Sequence, residues 1–403
     1  MIRENAITKE LAKEGDISII NLVNYLLEDA VNTKVSDIHI DPSLSCLKVR
    51  FRIDGVMTDA YEFPIGIHQE IISRIKVLSR LRIDEHHATQ DGRFRYELSK
   101  NSFVDIRVSI APTYHGENSV LRLLIDRKEQ FTLDALGYTK DDIKKIQDAI
   151  KKTSGMILST GPTGSGKTTT LYTLVKMLNT KEVSIITIED PIEYSIEGIE
   201  QIQINPRTNL TFASGLRSVL RQDPNIIMVG EIRDSETANI AVNTALTGHL
   251  LLSSVHTNDA STTIPRLLDM GIEAYLIAST LRLAIGQRLV RKICRHCKKE
   301  ETITPASKEA VLKLSAKYSD TQKMWRGQGC LKCNNTGYSG RIAINELLVV
   351  NNDIRTAILK KASASEIKVI AIANGMVTML EDGLAKVEKG ETTLEEILRL
   401  THE

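Results

Sequence analysis

The sequence predicts an α/β protein in two parts. An α+β N-terminal domain comes first, and a P-loop nucleotide-binding domain with a four-cysteine zinc module and a helical C-terminal part follows. Three observations predict it. In the first third, apolar residues alternate with charged ones in short runs, as in half-buried strands. From Asp141 the pattern becomes helix, strand, helix, strand, the order of a parallel sheet flanked by helices. Between one such strand and helix lies Gly161-Pro162-Thr163-Gly164-Ser165-Gly166-Lys167-Thr168, which fits the phosphate-loop pattern at every fixed position. At 403 residues the chain is too long for one ordinary core, so two or three domains are expected.

In chain order, residues 1–16 read as a flexible, polar N-terminus. Asp16 is placed to cap a helix whose apolar face is Ile19, Ile20, Val23, Leu26, Leu27, Ala30 and Val31. Ser36–Asp41 reads as a strand. Leu47, Val49, Phe51 and Ile53 alternate with charged residues up to the Asp54-Gly55 turn. A helix over 67–81 precedes three more strands, over 94–98, 104–110 and 119–125. The first domain, 17–125, thus carries a sheet with one arginine-rich polar face. Residues 126–140 read as an interdomain linker, 141–290 as the nucleotide-binding core, 291–340 as the zinc-binding module and 341–403 as helical. All of 261–403 looks mostly helical apart from two Cys-x-x-Cys pairs.

The composition is that of an ordinary globular chain, 42% hydrophobic and 26% charged, with a net charge of +1. No global field recruits nucleic acid, and an aromatic content of 4% argues against base-stacking surfaces. Met1-Ile2-Arg3-Glu4-Asn5 lacks the apolar stretch of a secretory signal. Cysteines in Cys-x-x-Cys pairs point to a reducing, cytoplasmic setting.

The chemistry follows from the loop. Its glycines let successive N–H groups turn inward to cradle phosphate, with the dipole of the following helix added. Residues 161–169, through Thr169, are the expected nucleotide-binding set. Lys167 is expected to reach the β- and γ-phosphates and Thr168 to hold Mg²⁺. Three apolar strands end in polar groups, at Glu189-Asp190, at Gly230-Glu231 and at His256-Thr257, which is where open α/β sheets bind ligands. Glu231 is expected to be the general base, Glu189 and Asp190 to hold Mg²⁺ through water or to place the attacking water, and His256 to sense the γ-phosphate. Positive charge for the transition state is not obvious within this domain, where Arg217, Arg221 and Arg233 lie near the motifs; Arg93 and Arg107, on the polar faces of first-domain strands, are the candidates for an arginine finger from another domain or subunit. Cys294, Cys297, Cys330 and Cys333 have the spacing of a four-cysteine zinc site. Arg288, Arg291, Lys292, Arg295, Lys298 and Lys299 form a basic patch around the first pair.

Taken together, these stretches resemble the type II secretion and type IV pilus assembly ATPases, the GspE/PilB family. The carrying segments are Gly161–Tyr172 as Walker A, Ile188-Glu189-Asp190-Pro191-Ile192-Glu193-Tyr194 as the Asp box and Arg221–Asp234 as Walker B. Thr247-Gly248-His249-Leu250 and His256-Thr257-Asn258-Asp259 supply the His box, and Ser36–Ile40 and Gln90-Asp91-Gly92-Arg93 match the N-terminal domain. The resemblance implies a PAS-like domain joined to a RecA-like ATPase domain. It also implies a homo-hexamer at the cytoplasmic face of the inner membrane, peripheral through a platform protein, with ATP, Mg²⁺ and Zn²⁺ as cofactors. Arg93 and Arg107 match the family's arginine fingers, and the four cysteines match the zinc module of the assembly ATPases, which retraction ATPases typically lack. Family members often carry a further N-terminal docking domain, here expected to be natively absent or removed. The function expected is a motor that assembles a pilus or pseudopilus. The alternatives are a retraction or DNA-uptake motor and, further off, a nucleic-acid translocase; no direct nucleic-acid contact is expected.

Overall fold

The computed structural model describes residues 6–13, 16–99, 102–125, 132–318 and 323–401. The chain divides between Glu129 and Gln130 into two compact units.

The first unit contains α1 (Ala6–Leu11), α2 (Ile19–Asn32), β1 (Asp37–Pro42), β2 (Cys46–Ile53), β3 (Val56–Pro64), α3 (His68–Ser79), β4 (Gln90–Ser99), β5 (Ser102–Thr113) and β6 (Gly116–Ile125). Among the described residues the strands form one six-stranded sheet in the order β3-β2-β1-β6-β5-β4. Ile38, Ile40, Val49, Val104, Ile106, Val108 and Leu121 face one side and bury Leu22, Leu26, Leu27, Ile71 and Ile75 of α2 and α3. The other side carries the expected arginines. Arg52, Asp37, Arg122, Arg107 and Arg93 stand opposite one another across five strands. Asp37 is the acceptor in this row, taking Arg122 Nε at 2.9 Å.

Two expectations for the N-terminus are corrected. Ser18, not Asp16, caps α2: its backbone is extended and its hydroxyl accepts from the Asn21 N–H. The segment read as flexible contains α1, which buries Ile7 and directs Glu10 to the Ser18 N–H at 2.9 Å. Residues 1–5 and 14–15 lie outside the described residues.

One buried ion pair organises the turn between α3 and β4. Lys76, fully buried, donates to the Glu85 carbonyl at 2.6 Å and to Glu117 Oε2 at 2.9 Å. Burial pushes the Glu117 carboxyl up, but Lys76 and His86 more than offset this and hold it below the usual carboxylate range.

The second unit begins with α4 (Leu133–Leu136) and α5 (Lys140–Ile150), then β7 (Gly155–Thr160), α6 (Lys167–Leu178), β8 (Ile185–Glu189), β9 (Glu200–Gln203), α7 (Phe212–Val219), β10 (Ile226–Val229), α8 (Ser235–Leu246), β11 (Leu250–Val255), α9 (Thr263–Asp269) and α10 (Ala274–Thr280). It continues with β12 (Leu281–Ile293), β13 (Lys298–Thr302), α11 (Pro305–Leu314), β14 (Lys323–Gly327), β15 (Tyr338–Val349), α12 (Asn352–Leu359), α13 (Ala364–Ala373), α14 (Met379–Glu388) and α15 (Leu394–Leu400). Its main sheet runs β15-β12-β7-β11-β10-β8-β9, parallel except for the β12–β15 pair. Every residue of β7, β8, β10 and β11 is buried, as helices on both faces of a parallel sheet require.

Within this unit the largest departure from expectation lies in the region read as mostly helical. β12 and β15 pair antiparallel over Leu283–Ile293 and Tyr338–Val349. A strand covered on both faces loses its alternation, and an apolar run such as that of β12 then fits a buried helix equally well. β3 and β9, with mixed or polar patterns, are strands that the sequence pattern does not announce, as are the antiparallel β13 and β14 of the zinc region. Of the expected linker, 126–131 lies outside the described residues. From Leu133 onward the chain belongs to the second unit: Leu133 and Tyr138 are buried in its core, and Thr139 caps α5 reciprocally with Asp142. Among the described residues no helix is long and apolar enough to cross a membrane.

Removing Lys76 would leave the buried Glu117 carboxylate without its buried ammonium, with the half-exposed His86 ring as the remaining ion-pair partner. Lys76→Ala is expected to destabilise the protein by about 3–5 kcal/mol, read as an earlier unfolding midpoint in urea.

Candidate functional site

Parallel pairing brings the expected residues to one edge of the sheet. Thr160 pairs with Val255, Val229 with Ser253, and Ile188 with Val229. The chain therefore leaves β7 into Gly161, β11 into His256, β10 into Gly230-Glu231, and β8 at Glu189, all along that edge.

The loop 161–168 has the backbone that its glycines allow. Gly161, Gly164 and Gly166 have φ of 148°, 80° and 92°. A Cβ on Gly161 would lie 2.4 Å from the Gln287 carbonyl oxygen, and one on Gly166 would lie 2.7 Å from Gln287 Nε2. The loop is thus pressed against β12 and open at Gly164, where a Cβ would meet nothing. The Ser165 hydroxyl is buried without a hydrogen-bond partner among the described residues, and Thr168 is exposed in the first turn of α6. An orphaned hydroxyl, an open glycine and a helix N-terminus form a cradle that fits an anion. Lys167 Nζ donates to the carbonyls of Gly161 at 2.8 Å and Pro162 at 2.9 Å. Burial lowers the Lys167 ammonium below its usual range; the Glu231 carboxylate opposes that, and the Arg288 guanidinium adds to it.

Glu231 is the electrostatic centre of the edge. It pairs with Arg233 and accepts from His256 Nε2 at 2.9 Å. Its burial raises the carboxyl, and Arg233 and His256 together bring it below the usual range, so it is ionised at neutral pH. Asp190 lies 3.9 Å from Arg233. Ser254 Oγ donates to the Gly230 carbonyl at 2.8 Å, and the Ile232 N–H donates to Ser254 O at 2.9 Å, which clamps the chain on either side of Glu231.

Glu189 sits differently from expectation. It is buried, and its two oxygens are taken by the Tyr172 hydroxyl, by Thr187 Oγ1 and by Gln201 Nε2 at 3.0 Å. The reason is that this last residue of β8 points into the sheet–helix interior, against α6. A carboxylate occupied by three protein donors holds Tyr172 and β9 rather than a hydrated ion; Asp190 is the exposed carboxylate of the pair.

Arg93 and Arg107 lie in the first unit, opposite each other on β4 and β5. The four cysteines do converge. Their sulfurs lie within 4.8 Å of one another, with Cys294–Cys330, Cys297–Cys333 and Cys330–Cys333 at 3.9, 3.8 and 3.7 Å. A tetrahedral zinc centre of four thiolates with bonds of about 2.3 Å has S···S edges of about 3.8 Å, so the donor set fits zinc. Burial raises the Cys333 thiol, but the N–H groups of Cys330 and Gly337 more than offset it and bring it down to about 7.

Sequence reasoning missed the support behind the loop. Gln287, buried on β12, accepts through Oε1 from Thr170 at 2.8 Å and from the Tyr138 hydroxyl at 3.2 Å. Arg288, assigned from sequence to the zinc-module patch, is close enough to act on Lys167. The available signal was the polar pair Gln287-Arg288 interrupting an apolar run. Gln287→Leu removes the acceptor shared by the Thr170 and Tyr138 hydroxyls, leaving them each other at 3.2 Å, and is expected to cost about 1–3 kcal/mol, measured as a lowered thermal midpoint.

Comparison with known proteins gives the family. Residues 12–399 match the family described as "Type II/IV secretion system protein". The chain is 46% identical over 395 residues to type II secretion system protein E of Xanthomonas campestris pv. campestris, covering 98% of this chain and 69% of that protein. It is 45% identical over 383 residues to the type IV pilus assembly ATPase PilB of Thermus thermophilus, covering 94% of this chain and 43% of that protein. The crystal structure of the pilus retraction motor PilT with bound ADP superposes with a TM-score of 0.63 at 25% identity, covering 94% of this chain and 96% of that one. The chain belongs to the type II/IV secretion system protein family and is an ATP-hydrolysing enzyme of it.

Proposed function

We propose that the protein is the motor that powers assembly of a pilus or pseudopilus, in type II secretion or type IV pilus biogenesis. It works as a homo-hexamer, peripheral at the cytoplasmic face of the inner membrane through a platform protein. The observation that carries this reading is the convergence of Glu231 and His256 beside Lys167 at the strand ends, in a chain nearly half identical to a secretion protein E and to a pilus assembly ATPase.

In this reading residues 161–169 hold the triphosphate, Lys167 exchanging its two carbonyl partners for phosphate oxygens. Glu231, ionised and clamped, accepts the proton of the attacking water. His256, tethered to Glu231, donates to the γ-phosphate and reports its presence. Thr168 and Asp190 are the groups that would hold Mg²⁺, which supplies charge neutralisation on the phosphate oxygens. Glu189 keeps Tyr172 and the end of β8 in place. Arg93 and Arg107, from the N-terminal domain of the same or a neighbouring subunit, supply the positive charge that the transition state needs. Closing of that domain on ATP is then the step that becomes motion. The four cysteines hold a structural Zn²⁺.

A retraction motor is the second reading, favoured by the likeness to PilT. The four-cysteine cluster weighs against it, since retraction ATPases typically lack these pairs. A nucleic-acid translocase would show DNA-stimulated ATPase with a steep salt dependence.

Glu231→Gln is expected to keep nucleotide binding while steady-state ATP turnover falls about 100-fold or more. The host carrying it as its sole copy is expected to assemble no filament and secrete no substrate. Near-normal turnover rejects the base, and normal assembly with dead turnover rejects the motor. Zinc analysis is expected to find about one ion per chain. Cys330→Ser is expected to lose that ion and to unfold the 291–340 segment at lower temperature.

A further inference from the structure

Glu346 is a buried carboxylate that the hydrolysis scheme does not use. It lies on β15, only 1% exposed, opposite Gly286 of β12. A Cβ on Gly286 would come within 2.9 Å of both Glu346 Cγ and the Ala260 nitrogen, so glycine is what lets the three segments meet. Glu346 Oε1 accepts from the Ala260 N–H at 2.8 Å, and Oε2 from the Met379 N–H at 3.2 Å. Ala260 lies four residues after His256 in the loop between β11 and α9. Met379 is the first residue of α14, so the carboxylate also meets the positive end of a ten-residue helix.

The same loop is fixed at its other end. Thr160, the residue before Gly161, accepts from the Thr257 N–H at 3.1 Å and donates to the Thr257 carbonyl at 3.0 Å. Between the two anchors, Asp259 Oδ1 accepts from the Thr262 N–H at 2.8 Å, and Lys368 of α13 lies 3.4 Å from Asp259 Oδ2. An open pocket lined in part by His256, Thr257, Asn258, Thr262 and Arg266 faces outward from this loop. The loop is therefore held by the phosphate-loop strand on one side and by the C-terminal helices on the other, and among the described residues Glu346 bonds to both the loop and α14. Burial raises the Glu346 carboxyl above its usual range, and the Ala260 N–H and Lys368 oppose the shift.

We infer that Glu346 is a positioning residue for ATP turnover: it ties the His256–Ala260 loop to the N-terminus of α14 and so sets His256 against Glu231. This rests on the reading of His256 as a γ-phosphate donor. A purely structural clamp would change stability alone. A positioning clamp changes kcat while nucleotide binding, made by the phosphate loop, persists.

The test uses the full chain and reads kcat, KM for ATP, affinity for a fluorescent ADP analogue and thermal midpoint. Glu346→Gln retains the shape but can accept from only one of the two N–H donors. It is expected to lower kcat by about tenfold or more, with ADP-analogue affinity within about threefold of the parent. The second arm compares Met379→Pro with Met379→Ala. Both lose the side chain, and only proline also removes the N–H, at a first helical position that proline tolerates and after Thr378, which is already extended. Proline is expected to lower kcat at least about threefold below alanine. If Glu346→Gln folds and its kcat stays within about twofold of the parent, the inference is overturned. If Glu346→Gln does not melt cooperatively, the proline–alanine pair decides, and equal kcat values overturn it. His256→Ala, run alongside, separates the two readings. Impaired turnover there with a normal Glu346→Gln refutes the Glu346 inference alone. Normal turnover in His256→Ala refutes the γ-phosphate role and, with it, the positioning of His256 by Glu346, whatever the Glu346 variants show.

Discussion

The parallel pairing of β7 with β11 on one side and β12 on the other is the constraint on which the rest of the second unit depends. Parallel strands leave the sheet at the same edge, so their carboxyl ends are neighbours however far apart they lie in sequence. That edge is why Gly161, Glu231 and His256, up to 95 residues apart in sequence, form one cluster. Antiparallel strands joined by hairpins would have sent alternate ends to opposite edges. β12 adds a second service. Its Gln287 backs the glycine loop, and its Gly286 makes room for Glu346 behind the His256 loop.

Charge at this edge is managed by pairing, because burial alone would neutralise it. Glu231 stays ionised through Arg233 and His256. Lys167 is lowered by burial but held by two carbonyls and by the field of Glu231. Glu189 is satisfied by neutral donors, which turns a strand-end acid into a structural acceptor. Three carboxylates of similar sequence setting thus end in different states: Glu231 in a charged clamp, Asp190 exposed, and Glu189 interior. The difference comes from the partners each side chain meets: Arg233 and His256 for Glu231, Tyr172, Thr187 and Gln201 for Glu189.

The zinc region obeys a different logic. Each Cys-x-x-Cys pair is local, and the two pairs are joined by a segment longer than zinc ribbons usually contain. The antiparallel β13–β14 pair brings them together, with the Gln328 N–H donating to the Cys297 carbonyl and the Cys294 N–H donating to the Gly337 carbonyl. The sulfur spacing then comes from backbone geometry, and the N–H donors to Cys333 are of the kind that tune metal thiolates from the outer shell.

Features encoded by short-range pattern could be read from the amino-acid sequence alone. The glycine loop, the strands β1, β2, β5, β7, β10 and β11, the Cys-x-x-Cys pairs and the strand-end acids each need only a few consecutive residues, because backbone conformation and alternation are local properties. Tertiary structure decided what depends on non-local contact. It made β12 and β15 strands, since burial on both faces had erased their period. It assigned the cap of α2 to Ser18 and drew 133–140 into the second unit. It turned Glu189 inward and placed Gln287 and Glu346 behind the two loops of the site. A buried polar residue declares its role only through its partners, and those partners lie more than 80 residues away in the chain for Glu346 with Ala260 and more than 110 for Gln287 with Thr170.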